Sequence, residues 1–331
     1  MATLILLLPA VARLAGRLPT ALAAALGRAD TVHADVPGER AQLLRHFYVV
    51  PRGWPIAALT RQRDAGDAAG SMWLRADPAW VRPDISGARL FACGNGLQPT
   101  QDDCDALLPS LRPLFGDAGF VLDAPAPSRW YLRLPPGSTL PAFTDPGDAL
   151  GADVFEYLPD DAQVEGVVAR RWRALLNDAQ VVLHNHPWNA RRVAAGKPPI
   201  NSLWFWGAGT LPAQVRSACA CVESGDDVLA AFASAAGCRL HALSPAFAPG
   251  DVDADRLVDL RGQRDPAVLS RDWLMPAIAA MRTRRASAIR LDFPDVAGLQ
   301  LRPGQRWRFW RKPLAQFSDL PLIAAQASVA P

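Results

Sequence analysis

Short apolar runs alternate with amphipathic stretches along this chain, and prolines punctuate both. Residues 3–8 form a continuous apolar run that Pro9 stops, the pattern of a strand buried on both faces. Residues 18–27 predict a helix that ends at Gly27. Residues 38–50 predict a second helix running into an extended piece, with a turn over 52–54. Four stretches, 71–76, 88–93, 120–123 and 129–134, have strand character. Between them, residues 100–115 predict a helix opened by Thr100 with Asp103 at the third helical position, where Pro109 and Pro113 should limit its regularity.

The strongest helical periodicity follows Asp160 or Asp161, either of which would cap it. Val164, Val167, Val168, Trp172, Leu175, Leu176, Ala179, Val182 and Leu183 recur at three- and four-residue spacing. Arg170, Arg173, Asp178 and Gln180 take the opposite face. This helix delivers His184 and His186 at its C-terminal end, where the helix dipole favours a cation. A short helix over 189–195, a stop at Gly196 and a strand over 200–206 come next. Strands over 217–222, 238–243 and 287–293 then alternate with helices over 226–236 and 273–282. Such alternation predicts an α/β fold with a mostly parallel sheet flanked by helices. The expected division is a core lobe of residues 1–60 and 159–323, a smaller inserted α+β lobe of residues 61–158, and a loose tail over 324–331.

Composition narrows the function classes. A chain of 331 residues, 50% hydrophobic and 20% charged, can bury a sizeable core. Its net charge of +3 is too small to indicate nucleic-acid binding by bulk electrostatics. Nearly every cation is arginine, with Lys197 and Lys312 the only lysines. The apolar start lacks a basic segment before it and is too short to span a bilayer, so it is expected to be a first strand, with no membrane partner. Cys93, Cys104, Cys219, Cys221 and Cys238 are odd in number and contain no CxxC, which points to buried free thiols in a reducing cytoplasm.

The densest candidate chemistry lies between residues 184 and 209. His184 and His186 could serve as an acid–base pair or contact an anion; equally, His-Asn-His-Pro is a helix-terminating turn. Asn189, Arg191 and Arg192 open a short helix and could receive a phosphate or carboxylate. Trp204, Phe205 and Trp206 run into Gly207-Ala208-Gly209, a small-residue turn that would let a ligand or a neighbouring backbone approach closely. Asp251, Asp253 and Asp255 alternate like a loose cation loop but read better as a solvated turn. No GxSxG, P-loop or HExxH is present.

The run from His186 to Gly209 resembles a motif of the archaeal-type cofactor-independent phosphoglycerate mutases, of the alkaline phosphatase superfamily. The matching positions are His186, Pro187, Asn189, Arg191, Arg192, Gly196, Pro199, Asn201, Gly207, Ala208 and Gly209; Trp206 stands where the family carries arginine. Asp292-Phe293-Pro294-Asp295-Val296-Ala297-Gly298 resembles a second family segment. The chain looks closer still to bacterial phosphoglycerate mutase-like proteins of the Rpf (pathogenicity-factor) regulatory group. The resemblance implies an α/β core, a two-metal site and a Ser or Thr nucleophile. This chain departs from it at the metal positions. Leu8-Pro9-Ala10 stands where an Asp-Gly is expected, the stretch at Pro37-Gly38-Glu39 lacks a hydroxyl, Leu299 replaces a histidine, and no histidine follows His241. The expectation is therefore a mutase-like protein without metal or other cofactor, acting as a regulatory or ligand-sensing protein, with His186, Asn189, Arg191, Arg192, Asn201, Gly207 and Gly209 as ligand contacts. The alternatives are an active mutase-like or other phosphate-handling enzyme with a rearranged site, in which His184 or His186 would be catalytic, and a protein-interaction scaffold.

Overall fold

The computed structural model describes residues 3–84, 87–158, 166–249, 254–283 and 286–323. Two compact units divide the chain: Met1–Arg52 with Gln214–Pro331, and Gly53–Ala213. The first segment contributes β1 (Thr3–Leu7), β2 (Asp30–Val32) and β3 (Tyr48–Val50). The second contributes β4 (Met72–Asp84), β5 (Gly87–Cys93), β6 (Val121–Ala126), β7 (Arg129–Leu134) and β8 (Ser202–Thr210). The third contributes β9 (Gln214–Arg216), β10 (Cys221–Glu223), β11 (Arg239–His241), β12 (Arg256–Asp259), β13 (Ala288–Asp292) and β14 (Gly298–Leu301).

The first unit is built on a seven-stranded sheet in the order β11-β10-β12-β1-β13-β14-β2. Its first five strands run parallel, and β14 and β2 close one edge antiparallel. The apolar run at the N-terminus becomes the central strand because both of its faces are covered. Leu4, Leu6 and Leu8 enter a core with Leu22, Trp273, Ile278 and Phe293, supplied by the helices Thr20–Gly27 and Met275–Arg282 and the turns around them. Each fully buried leucine there contributes about 1.5–3 kcal/mol. Asp226 caps the helix Asp227–Ala235 by accepting the Leu229 N–H at 2.8 Å.

The second unit holds an antiparallel sheet in the order β5-β4-β7-β6, with β8 also paired to β4. The helices Gln101–Asp117 and Gly166–His184 cover it with one apolar cluster that includes Leu107, Leu111, Phe115, Trp172, Leu175 and Phe205. Thr100 and Asp103 form the expected capping box: the Asp103 carboxylate accepts the Thr100 N–H at 2.7 Å, and the Thr100 hydroxyl accepts the Asp103 N–H at 3.4 Å. The helix runs on through Pro109 and Pro113 to Asp117. A proline in a helix interior costs about 3 kcal/mol. The buried side chains of Leu107, Leu108, Leu111 and Phe115 offset that.

The chain is thus an α/β protein with a parallel-rich sheet flanked by helices and a second sheet lobe. No described helix is long and apolar enough to cross a membrane. Two sequence expectations change, and one helix is added. The helix Gly166–His184 and strand β8 belong to the second unit, so its C-terminal limit is residue 213 rather than 158. Strand β8 pairs antiparallel with β4, from Met72↔Thr210 to Ala79↔Ser202, rather than joining the parallel sheet. An apolar run gives no sign of which partner it will find, and β4 extends for 13 residues, well past the stretch expected, offering β8 a full-length neighbour. The added helix is Ile56–Ala65, whose apolar start, Ile56-Ala57-Ala58-Leu59, is wholly buried. The expected cap at Asp160 or Asp161, Val164, the aspartates Asp251 and Asp253, and the tail over 324–331 lie outside the described residues.

Candidate functional site

In the second unit, the segment from residue 184 to 209 forms a tightly bonded structural joint. The Asn189 side chain donates to the carbonyls of Leu183 and Ile200 at 2.8 and 2.9 Å and accepts the Ile200 N–H at 2.9 Å, clamping a helix end to the approach of β8. Asn201 reaches across to β4, accepting the Val81 N–H at 2.9 Å and donating to the Val81 carbonyl at 2.8 Å. Arg192 is buried in an ion pair with Asp103, their side chains 2% and 4% exposed, and also donates to the carbonyls of Pro198 and Leu97. Burial pushes the Asp103 carboxyl up, but hydrogen bonds from Trp188, the Thr100 backbone and Arg192 outweigh it and hold the group below the usual carboxylate range. Gly207 has φ +67°, and a side chain there would crowd Ile56. At Gly209 an added Cβ would lie 2.7 Å from the Pro55 Cβ and 2.9 Å from its Cα, so these small residues admit the close approach of Pro55 and the helix Ile56–Ala65 that follows it. His186 Nδ1 accepts the Trp188 N–H at 3.2 Å. His184 and Arg191 are exposed, and the Arg191 guanidinium sits 5.1 Å from the Trp188 ring centre.

The first unit concentrates charge where an open α/β sheet places its ligands, at the carboxyl ends of the parallel strands. In register, Leu7 of β1 pairs with Asp259 of β12 on one side and with Asp292 of β13 on the other. Asp259 and Asp292 therefore point to one face of the sheet, their backbones about 10 Å apart across β1. Arg261 grips Asp259 with two hydrogen bonds of 2.8 and 2.9 Å, and the Ser224 hydroxyl donates to it at 2.8 Å. Burial alone would raise the Asp259 carboxyl; Arg261 and Ser224 outweigh it and hold the group down, while Asp259 and Asp226 hold the Arg261 guanidinium charged. Asp292 is bound by Arg45 and by His46, whose Nε2 is 2.6 Å from the carboxylate. Gln42, fully buried, ties the two strand ends together by donating to the carbonyls of Leu8 and Asp292 at 3.0 and 2.7 Å.

Arg45 and His46 also line a cavity of about 630 Å³ on this unit, together with Ile5, Arg216 and Arg290. Arg290 extends from β13, and its buried Nε has no hydrogen-bond partner among the described residues. Asp255, the one acidic lining residue among the described residues, accepts the Thr3 N–H at 2.6 Å. The space is of small-molecule size and its charge is predominantly positive. Sequence reading missed it because Arg45 and His46 follow one helix, Arg216 lies on another strand and Arg290 sits inside an apolar run. The only local signal was an aspartate ending each of two apolar strands. Among the described residues, no three His, Cys, Asp or Glu side chains converge at metal-binding spacing.

No family model matches the chain. Over 67 residues it is 43% identical to a probable 2,3-bisphosphoglycerate-independent phosphoglycerate mutase of Geobacter sulfurreducens, covering 20% of this chain and 16% of that protein. Over 160 residues it is 29% identical to the 2,3-bisphosphoglycerate-independent phosphoglycerate mutase of Methanosarcina mazei, covering 47% of this chain and 35% of that protein. The chain thus matches about a third or less of the length of these curated relatives. Among solved structures it is similar to a cofactor-independent phosphoglycerate mutase from Thermoplasma acidophilum, at 17% identity and a TM-score of 0.41, over 92% of this chain and 90% of that one.

Proposed function

We propose that this chain is a phosphoglycerate mutase-like protein that binds a small phosphorylated or carboxylate ligand without turning it over, in a regulatory or ligand-sensing role. The observation that carries the proposal is the predominantly basic cavity lined by Arg45, His46, Arg216 and Arg290, together with an Arg290 Nε that is buried without a hydrogen-bond partner among the described residues. A guanidinium donor without an acceptor is costly in a protein interior and is satisfied by an incoming anion. Within the 184–209 segment, His184 and Arg191 are exposed and His186 is part-exposed, so these side chains remain open to a ligand.

The side chains at the sheet edge do not fit the two divalent cations that the resemblance implies. Such a centre needs carboxylates and imidazoles with lone pairs directed at the metals. Here Asp259 directs its oxygens to Arg261 and Ser224, and Asp292 directs its own to Arg45 and His46. Leu7, Leu8 and Pro9 occupy the centre of the edge. Guanidinium groups stand beside these carboxylates where cations would have to enter.

The test pairs an assay with a titration. Purified full-length chain, supplied with magnesium or manganese, is expected to leave 3-phosphoglycerate unconverted, while calorimetry detects binding of 3-phosphoglycerate or a related phosphorylated acid that Arg290→Ala weakens at least about tenfold. Turnover at an ordinary enzymatic rate, lost in His186→Ala, establishes instead the second reading, an active mutase with a rearranged site, which the similarity to proteins of that name favours. No heat with any phosphorylated three-carbon acid overturns the ligand-sensing role.

A further inference from the structure

Between Asp295 and Asp319 every charged residue is a cation: Arg302, Arg306, Arg308, Arg311 and Lys312, more positive charge than the whole chain carries net. The same stretch exposes Trp307, Phe309 and Trp310 at 65%, 79% and 69%. Three large aromatics held in water are unfavourable by about 25 cal/mol for each Å² of apolar surface, and a chain free to do so would fold them away. This segment is not free. Buried Gln305 donates to Asp30 and to the Gln300 carbonyl at 2.8 and 3.1 Å and accepts the Arg302 N–H at 2.8 Å. Arg308 pairs with Asp30, and the Leu314 N–H donates to the Ala23 carbonyl at 2.9 Å. Gly27 completes the mooring: a Cβ there would lie 2.2 Å from the Lys312 carbonyl oxygen, so the loop backbone lies directly against a helix end. The anchoring residues hold the aromatic ridge outward.

Beside the ridge is a cavity of about 370 Å³ with an apolar floor of Ile278, Met281 and Leu301 and a rim that includes Arg28, Arg282 and Trp307. We infer that this ridge and cavity form a docking surface for an acidic protein segment that inserts one apolar side chain between the arginines. Charge complementarity selects the acidic flanks, and a pocket ringed by Trp and Arg has the composition of an interface hot spot. A bilayer surface projects no side chain to fill a cavity. A single-stranded nucleic acid calls for parallel stacking platforms, whereas the Phe309 and Trp310 rings meet edge to face at 80°. The inference is independent of the ligand proposal, because it uses neither the basic cavity nor the sheet edge.

The experiment is fluorescence anisotropy of full-length protein with a labelled peptide, Glu-Asp-Glu-Phe-Leu-Asp-Glu-Asp, against the same peptide with Ser-Gly replacing Phe-Leu. Oligouridylate and phosphatidylglycerol-containing vesicles are run in parallel. The Phe-Leu peptide is expected to bind at least about tenfold tighter than the Ser-Gly peptide, and the triple variant Trp307→Ala, Phe309→Ala, Trp310→Ala to lose that difference. Arg306→Glu with Arg311→Glu should weaken both peptides and steepen neither. These side chains are exposed, so circular dichroism should show both variants folded. Equal binding of the two peptides, binding unaffected by either variant, binding of oligouridylate or vesicles in preference to peptide, or no binding at all overturns the inference.

Discussion

Two charged regions, one in each unit, use the same side chains to opposite ends. In the second unit, Asn189, Asn201 and Arg192 bond mainly to backbone carbonyls and N–H groups, and Arg192 completes its set with the buried Asp103. In the first unit, Asp259 and Asp292 bond chiefly to other side chains at the open end of a sheet, and the Arg45–His46 pair borders a basic cavity. A side chain that satisfies backbone groups is part of the scaffold, because removing it leaves those groups unpaired. The first unit is not free of such bonds, since Arg45 also donates to the Phe293 and Val36 carbonyls at 2.8 and 2.9 Å and Asp259 accepts the Arg261 N–H at 3.2 Å, but most of the bonds on its two carboxylates come from side chains that can exchange partners with a ligand. The motif richest in recognisable residues is thus bonded largely to its own backbone, and the basic cavity on which the proposed ligand role rests carries no contiguous motif.

The sharpest way to break this contrast is Arg192→Ala. It strips Asp103 of its ion-pair partner in a buried setting and frees the Leu97 and Pro198 carbonyls, so a loss of about 3–5 kcal/mol is expected in urea denaturation. An effect no larger than that of a surface substitution would return Arg192 to the ligand contacts. Gly209→Ala comes next. Its new methyl meets Pro55 at distances no ordinary contact reaches, and repacking of the helix Ile56–Ala65 should cost about 1–3 kcal/mol in a thermal melt.

A pH titration probes the first unit. Asp259 has a folded pKa below its unfolded value, so its stabilisation is complete above the unfolded pKa of about 3.9 and is lost as pH falls through the lower, folded value. In Arg261→Ala, burial acts without its main counterweight and the carboxyl moves upward. The acid limb of unfolding, followed by circular dichroism, is expected to shift to higher pH than in the parent; an unmoved limb would show that Arg261 does not hold Asp259. The smallest effect belongs to Arg191→Ala. The side chain is exposed and stacks on Trp188, so stability should change by about 0.5 kcal/mol. Equal losses in Arg191→Ala and Arg192→Ala would erase the distinction between neighbouring arginines on one helix.

Much of the fold was legible. The run ending at Pro9 is the central parallel strand, Thr100 and Asp103 cap their helix reciprocally, and Asp226 and Gly237 bracket the helix between β10 and β11. These features depend on local chemistry. The ligand role expected of residues 186–209 depended on what each side chain would meet. Arg191 and Arg192 are indistinguishable in sequence, yet one faces solvent and the other Asp103, because a single step along a helix turns a side chain by about 100°. The partnership of β8 with β4 was equally hidden, since an apolar run fits a parallel or an antiparallel neighbour alike.

Taken alone, the amino-acid sequence determined the alternation of strands and helices, the stops at glycine and proline, and a resemblance carried by His186 to Gly209, because each depends on residues near one another along the chain. Only the tertiary structure decided which charges are already paired. Asp259 and Asp292 flank the same leucine, and Arg290 lies over a cavity with Arg45, through strand pairings between residues more than 200 positions apart. Pairing energy falls steeply with distance and changes with burial, so the same arginine is scaffold, ligand contact or exposed charge according to neighbours that no local pattern specifies.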